Sequence, residues 1–132
     1  MEPNIKFDKV QDSGARQNFS TGSVRDTNEG KARFDLISLL GSYRLAMHYA
    51  NGAKKYGDRN WEKGQPLSRY IESAERHIFK LKMGFMDEDH EAAAVWNLLA
   101  FMHTKMMIKA GSLPVELNDM PNYTDEVRNL VK

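Results

Sequence analysis

One segment of this chain restricts the possible folds more than any other. Residues 88 to 110 read EDHEAAAVWNLLAFMHTKMMIKA, and Gly111 and Pro114 follow directly. The pattern predicts a helix over 88–110 that the glycine and proline end. A helix that is apolar nearly all round lies either in the centre of a domain or in an oligomer interface. Apolar side chains cover most of this helix: Ala92, Val95, Trp96, Leu99, Met102 and Met106 on one face, and Ala94, Leu98, Phe101 and Ile108 on the other.

Two further segments have helical periodicity, which predicts a mainly α fold with a three-helix core over 34–111. The first begins at Leu36 and ends near Gly57, and the second lies between Pro66 and Gly84. Their apolar positions are Leu36, Leu39, Leu40, Tyr43, Ala46, Ala50 and Ala53 in the first, and Leu67, Tyr70, Ile71, Ala74, Ile78 and Leu81 in the second.

The regions on either side of this core are polar. Residues 1–33 predict an N-terminal arm that could hold a short β hairpin around 18–24, and 112–132 predict an extended tail with one short helix at 124–131. Two helices are too few to cover the third one. We therefore expect a homo-oligomer, most simply a two-fold dimer and otherwise a higher assembly.

Composition excludes several classes of function. The chain has no cysteine, so thiolate zinc sites, disulfides and cysteine nucleophiles are ruled out. The net charge of +1 provides no overall field for a nucleic acid polymer or an acidic membrane. No run of 18 apolar residues and no apolar N-terminal signal region occurs. We expect a cytoplasmic protein with no membrane or nucleic acid polymer as partner.

The connector between the first two helices has the side-chain inventory of a nucleotide pocket. The stretch GAKKYGDRNWEKG, residues 52–64, offers Lys55 and Arg59 as cations for phosphates and Asn60 as an amide that reads base edges. Trp61 provides a flat ring for stacking. The alternative is a solvated connector in which Trp61 covers the core.

Three polar side chains near the apolar helix faces are further candidates for contacts with a ligand. His77 lies beside the apolar stripe of the second helix, and His90 and Asn97 share one face of the third. One interpretation is that the three converge on a ligand. The other is that Asn97 pairs with a backbone group near the 52–64 loop, because a buried amide needs a partner. Because a turn separates His77 from His90, the two histidines alone are only weak evidence for a metal site.

Two acidic pairs offer a different chemistry. Glu72 and Glu75 are three residues apart, as are Glu88 and Glu91, so each pair shares a helix face. Carboxylates on neighbouring helices could hold Mg²⁺. Alternatively, Glu72 forms salt bridges with arginines one turn away, and the second pair interacts favourably with a helix N-terminus.

Several segments together resemble a known family of small phage proteins. They are GSVRDTNEGKARFDLIS at 22–38, GAKKYGDRNWEKGQPLSRYIESAERH at 52–77 and DEDHEAAAVWN at 87–97. The resemblance, over about residues 19–122, is to the dATP/dGTP diphosphohydrolase N-terminal domain family. It implies a relation to all-α, magnesium-dependent pyrophosphohydrolases of the MazG type, which carry E-x-x-E and E-x-x-D pairs. Glu72 and Glu75 match the first pair, whereas Ala94 stands where an Asp would follow Glu91.

The same pattern is also similar to the Thoeris anti-defence proteins of phages. That resemblance implies an arm-bearing helical oligomer that sequesters cyclic ADP-ribose signals, or cyclic oligonucleotides, without cleavage and without a cofactor. We take sequestration as the first hypothesis, with Arg59 and either Arg25 or Lys55 on phosphates, Trp61 stacking, and Asn60 or Asn97 on base or ribose. Hydrolysis of dATP or dGTP with Mg²⁺ on the four glutamates is the second, and a purely structural or interaction protein is the third.

Overall fold

The computed structural model describes residues 7 and 9–131. The chain divides into two compact units, residues 1–37 and 38–132. The first holds the strands β1 (Arg16–Asn18) and β2 (Val24–Asp26). The second holds the helices α1 (Leu39–Tyr56), α2 (Leu67–Lys82), α3 (His90–Lys109) and α4 (Asp125–Arg128). The expected mainly helical fold with a hairpin near the N-terminus is therefore confirmed. Of the arm expected over 1–33, residues 1–6 and 8 lie outside the described residues.

The N-terminal unit is built on an antiparallel hairpin. Arg16 pairs with Asp26, Gln17 with Arg25 and Asn18 with Val24. The predicted range 18–24 covers the turn of this hairpin, and the strands extend to either side of it. The Asp26 carboxylate accepts hydrogen bonds from the Ser13 hydroxyl and from Lys31 Nζ, the latter at 3.1 Å. These bonds connect the segments before β1 and after β2 to the hairpin, and they lower the pKa of Asp26.

Side-chain caps set where two helices of the second unit begin. The Ser38 hydroxyl accepts from Gly41 N at 3.0 Å, so α1 begins at Leu39 rather than at the predicted Leu36, which lies in a 3-10 turn. The Asp89 carboxylate accepts from Ala92 N at 3.0 Å and caps α3. Both caps satisfy amide groups that the first helical turn leaves without partners.

The core of this unit lies between α2 and α3. Leu67 and Tyr70 of α2 are buried against Ala100 of α3, with Trp96 packed beside them. The small side chains along the buried face of α3 allow the two helices to approach closely. The buried residues of α3 are His90, Ala92, Ala93, Ala94, Asn97, Ala100 and Thr104.

The apolar stripe predicted for the first helix is largely exposed in the single chain. Leu39 and Leu40 are 85% and 83% exposed, and Tyr43 is 67% exposed. Helix α1 contacts α3 instead through the helix face next to this stripe. There Arg44 forms ion pairs with Asp89 and Glu91, and Tyr49 lies beside Trp96. The helical period of the stripe therefore predicted the helix correctly. The stripe itself, however, does not face the core of its own chain.

The C-terminal tail is tied to the loop and to the start of α2. Asp119 accepts from Ser68 N at 2.9 Å and from Ser68 Oγ at 2.5 Å. Gly64 has φ of +85°, and a Cβ there would lie 3.0 Å from side-chain carbons of Leu113 and Leu117. The tail thus holds the connector that precedes α2. No helix in the described part of the chain is long and apolar enough to cross a membrane.

Candidate functional site

A cleft of about 840 Å³ lies in the helical unit between α1, α2, α3 and the connector after α1. Its size falls in the range of small-molecule sites, about 300–1,000 Å³. Polar and aromatic side chains predominate in its lining. The lining residues are His48, Tyr49, Ala50, Gly52, Ala53, Tyr56, Gly57, Asp58, Arg59, Asn60, Trp61, Gln65, Arg69, Ser73, Arg76, His77, Trp96 and Asn97.

Aromatic rings from three elements meet in this cleft. Tyr49 of α1 lies with its ring centroid 6.0 Å from Trp61 of the connector and 6.2 Å from Trp96 of α3. Trp61 is also held edge-on by His103, at 4.8 Å. Burial raises the pKa of the Tyr49 hydroxyl above its ordinary value. The rings of Tyr49, Trp61 and Trp96 form a half-buried aromatic wall, and the ring contacts hold the side chains in place.

The connector carries a conformational feature at Arg59. Its φ of 59° is the one positive φ at a non-glycine residue among the residues described. Such a conformation costs about 1–2 kcal/mol for an L residue. Arg59 forms an ion pair with Glu62, and its guanidinium lies 5.7 Å from the centroid of the Trp61 ring. The strained turn therefore places a cation next to the aromatic wall.

Helix α2 adds two cations that our sequence analysis did not select. Arg69 and Arg76 both line the cleft, and Glu72 lies between them on the helix. Arg69 Nη1 lies 3.0 Å from Glu72 Oε2, and Arg76 Nη1 lies 2.6 Å from Glu72 Oε1. The signal in the sequence is the spacing of Arg69, Ser73 and Arg76, which places them on one helix face.

Asn97 contributes a fixed amide to the cleft. It is 5% exposed, and its Nδ2 donates to the Ala93 carbonyl at 2.8 Å. This bond lies within α3, so the alternative pairing with a backbone group near the 52–64 loop is wrong. The Oδ1 atom accepts none of the hydrogen bonds found among the described residues, so it is an available acceptor at the cleft.

His77 and His90 meet at the end of the cleft. Their Nδ1 atoms lie 3.0 Å apart, and His90 Nε2 lies 2.8 Å from Asp87 Oδ1. This hydrogen bond lowers the pKa of Asp87. Burial lowers the pKa of His77, which favours its neutral form at pH 7. His77 lines the main cleft, whereas the buried His90 lines a smaller neighbouring one.

Only some of the predicted binding residues thus lie together in the cleft. Five of them line the cleft: Arg59, Asn60, Trp61, His77 and Asn97. Lys55 is not among its lining residues and instead has its Nζ 5.2 Å from the Tyr56 ring centroid. Arg25 lies exposed on β2, in the separate N-terminal unit.

The four glutamates proposed for magnesium do not form a common ligand set in this structure. Glu72 is paired with Arg69 and Arg76, and Glu91 Oε2 lies 3.0 Å from Arg44 Nη1. Among the described residues, the one group of three possible ligands within 4.8 Å of one another is His77, Glu88 and His90. Of the four glutamates, only Glu88 belongs to it.

Comparison with known proteins identifies the family. A family model described as "dATP/dGTP diphosphohydrolase, N-terminal" matches residues 21–111, which is more than half of the chain. The match includes β2, the connector and every residue that lines the cleft. No curated protein and no solved structure matches this chain. The resemblance drawn from the sequence motifs is confirmed for the family, and the chain belongs to the dATP/dGTP diphosphohydrolase N-terminal family.

Proposed function

We propose that this protein binds an adenine-containing cyclic nucleotide, of the cyclic ADP-ribose or cyclic oligonucleotide type, and holds it without cleavage. The observation that carries the proposal is the composition of the cleft, in which Arg69 and Arg76 share a space with the rings of Tyr49, Trp61 and Trp96. Arginine pairs with phosphates and aromatic rings stack on bases. A nucleotide is the ligand class that uses both.

Each part of such a ligand has a counterpart in the cleft. The pyrophosphate or phosphodiester would pair with Arg69, Arg76 and Arg59. The base would stack on Trp61, and Asn97 Oδ1 would accept from an exocyclic amine or a ribose hydroxyl. The prediction of Arg25 as a phosphate contact rests on the sequence alone, because Arg25 belongs to the separate N-terminal unit. Binding without cleavage would occur in the cytoplasm, that of the host cell if the protein is phage-encoded, and would remove a signal from anti-phage defence.

The family description favours a second function, magnesium-dependent hydrolysis of dATP or dGTP to the monophosphate and pyrophosphate. That function needs carboxylates free to hold the metal. Glu72 and Glu91 are each engaged by arginine, and the four glutamates are not gathered. They do not fit a magnesium site in this arrangement, so we derive no catalytic step from them and place sequestration first.

We further propose that a second copy of the chain covers the exposed apolar side chains of α1 and α3. Monomers rarely expose apolar patches beyond a few hundred Å². The exposed faces have helical spacing on both helices, which suits a self-complementary contact. They comprise Leu39, Leu40, Tyr43 and Met47 on α1, and Val95, Leu99, Met102 and Met106 on α3.

Mass measurement by light scattering tests this assembly. We expect a dimer or a larger assembly for the natural chain and smaller species for Met102→Lys, because a buried ammonium opposes association. Lys105→Ala, on the same helix, is the control and should leave the mass unchanged. A monomeric natural chain at all concentrations would contradict the proposal.

One experiment separates the candidate functions. The protein is incubated with cyclic ADP-ribose isomers, or with dATP and dGTP plus Mg²⁺, freed of excess ligand and denatured, and the released molecules are identified by mass spectrometry. Intact cyclic nucleotide supports sequestration. Monophosphate and pyrophosphate support hydrolysis. Absence of any nucleotide binding would leave the structural or interaction function.

Variants connect the result to the cleft. Arg69→Ala with Arg76→Ala removes two cleft cations and should abolish retention of the nucleotide. Lys82→Ala with Lys109→Ala removes the same charge from exposed helix positions outside the cleft lining and should leave retention intact. Equal losses in the two double variants would mean that only net charge matters.

A further inference from the structure

The pair of histidines between α2 and α3 has a geometry that a helical core does not require. His77 lies near the end of α2 and His90 is the first residue of α3, and their Nδ1 atoms face each other at 3.0 Å. His90 is 2% exposed. Two ring nitrogens this close need a cation between them or a single shared proton, because two lone pairs or two N–H groups repel each other.

The Asp87 carboxylate decides which form His90 takes. A carboxylate accepts hydrogen bonds, so His90 Nε2, at 2.8 Å from Asp87 Oδ1, carries the proton. In the neutral ring, His90 Nδ1 is then a lone pair aimed at His77. Carboxylates that orient a ring and raise its basicity in this way are typical partners of metal-binding histidines.

We propose that His77, His90 and Glu88 bind one divalent transition-metal ion, with Zn²⁺ as the best-suited ion. Two nitrogens bound to one metal at about 2.0–2.1 Å lie roughly 2.9–3.4 Å apart in octahedral or tetrahedral geometry. The observed 3.0 Å falls in this range. Candidate ligand atoms of all three residues lie within 4.8 Å of one another. Glu88 is exposed, so its carboxylate is free to change rotamer toward the two nitrogens.

The ligand types select the class of metal. Imidazole nitrogens suit Zn²⁺, Co²⁺ and Ni²⁺, whereas Mg²⁺ prefers oxygen ligands alone. The site therefore differs in both ligands and metal from the magnesium site predicted on the four glutamates. Three protein ligands leave at least one coordination position open. Because His77 lines the main cleft, the ion would lie at its edge.

Metal titration of the full, tag-free chain after chelator treatment tests this site. Zn²⁺ binding is followed by calorimetry, and Co²⁺ provides visible absorption bands that report the ligand geometry. We expect one equivalent of Zn²⁺ per chain. Glu88→Gln and His77→Gln should each weaken binding by about tenfold or more, because loss of an outer-shell group that only supports a ligand already costs about 10–100-fold. Mg²⁺ should not compete.

A control variant and a second measurement, the imidazole ¹⁵N signals, accompany the titration. Glu75→Gln removes an exposed carboxylate of α2 that is outside the three-residue group, and it should bind Zn²⁺ like the natural chain. On Zn²⁺ addition, the imidazole ¹⁵N signals of both Nδ1 atoms should shift. No Zn²⁺ binding, or equal weakening by Glu75→Gln and Glu88→Gln, would overturn the proposal. Circular dichroism verifies that each variant is folded.

Discussion

Glu72→Gln distinguishes the two nucleotide functions by the sign of its effect. In the structure, Glu72 accepts from Arg69 at 3.0 Å and from Arg76 at 2.6 Å, and both arginines line the cleft. If these arginines bind the ligand's phosphates, Glu72 competes with the ligand for them. If Glu72 instead holds catalytic Mg²⁺, its loss removes the metal.

The size of the effect follows from the exposure of the pairs. The side chains of Arg69, Glu72 and Arg76 are 63%, 49% and 45% exposed, so solvent screens both ion pairs. Exposed pairs of this kind contribute about 0.2–1 kcal/mol each. Releasing both arginines from Glu72 should therefore tighten binding of cyclic ADP-ribose by about two- to thirtyfold. The gain should shrink at high salt, where exposed charges are screened.

Calorimetric titration with cyclic ADP-ribose, at low and at high salt, measures this change. Glu75→Gln is the matched control, because it removes the same charge from the same helix, and among the ion pairs of the described residues Glu75 has none with Arg69 or Arg76. It should leave the affinity unchanged. A loss of affinity of roughly tenfold or more in Glu72→Gln would refute the reasoning and would mean that Glu72 contacts the ligand directly. Pyrophosphate release from dATP that both variants abolish would instead support the hydrolase.

Three further predictions test the cleft and its supports. Trp61→Leu should weaken cyclic ADP-ribose binding by about 1–3 kcal/mol, the contribution of one stacked base, whereas Trp61→Phe should retain most of the affinity; calorimetry measures both. Gly64→Ala should lower the free energy of unfolding by at least about 1–2 kcal/mol, because the position has φ of +85° and a Cβ there would crowd Leu113 and Leu117, and an unchanged urea midpoint would contradict this. The hydrogen bonds from Ser68 lower the pKa of Asp119, so its stabilising effect is fully present above about pH 4 and is lost as the pH falls through the lowered value. Asp119→Ala should consequently reduce the difference in melting temperature between neutral and acid pH, and an unaltered pH profile would contradict that role.

The sequence by itself determined the helices, the hairpin and the family. Helix periodicity, caps and terminal glycines act between neighbours in the chain, so α1, α2 and α3 were placed to within a few residues. The motif at 52–64 also suggested Arg59, Asn60 and Trp61 as candidates, because cation, amide and ring are the side-chain types that a nucleotide pocket uses. All three line the cleft.

Only the tertiary structure decided which side chains share a space. Local pattern cannot show that Tyr49, Trp61 and Trp96 meet, since they come from three separate elements. It also cannot show that the two histidines face each other across a turn while Lys55 does not line the cleft. The same limit explains the apolar stripe of α1. Periodicity fixes a face relative to the helix axis, but the rotation of that axis against α2 and α3 depends on packing between distant parts of the chain.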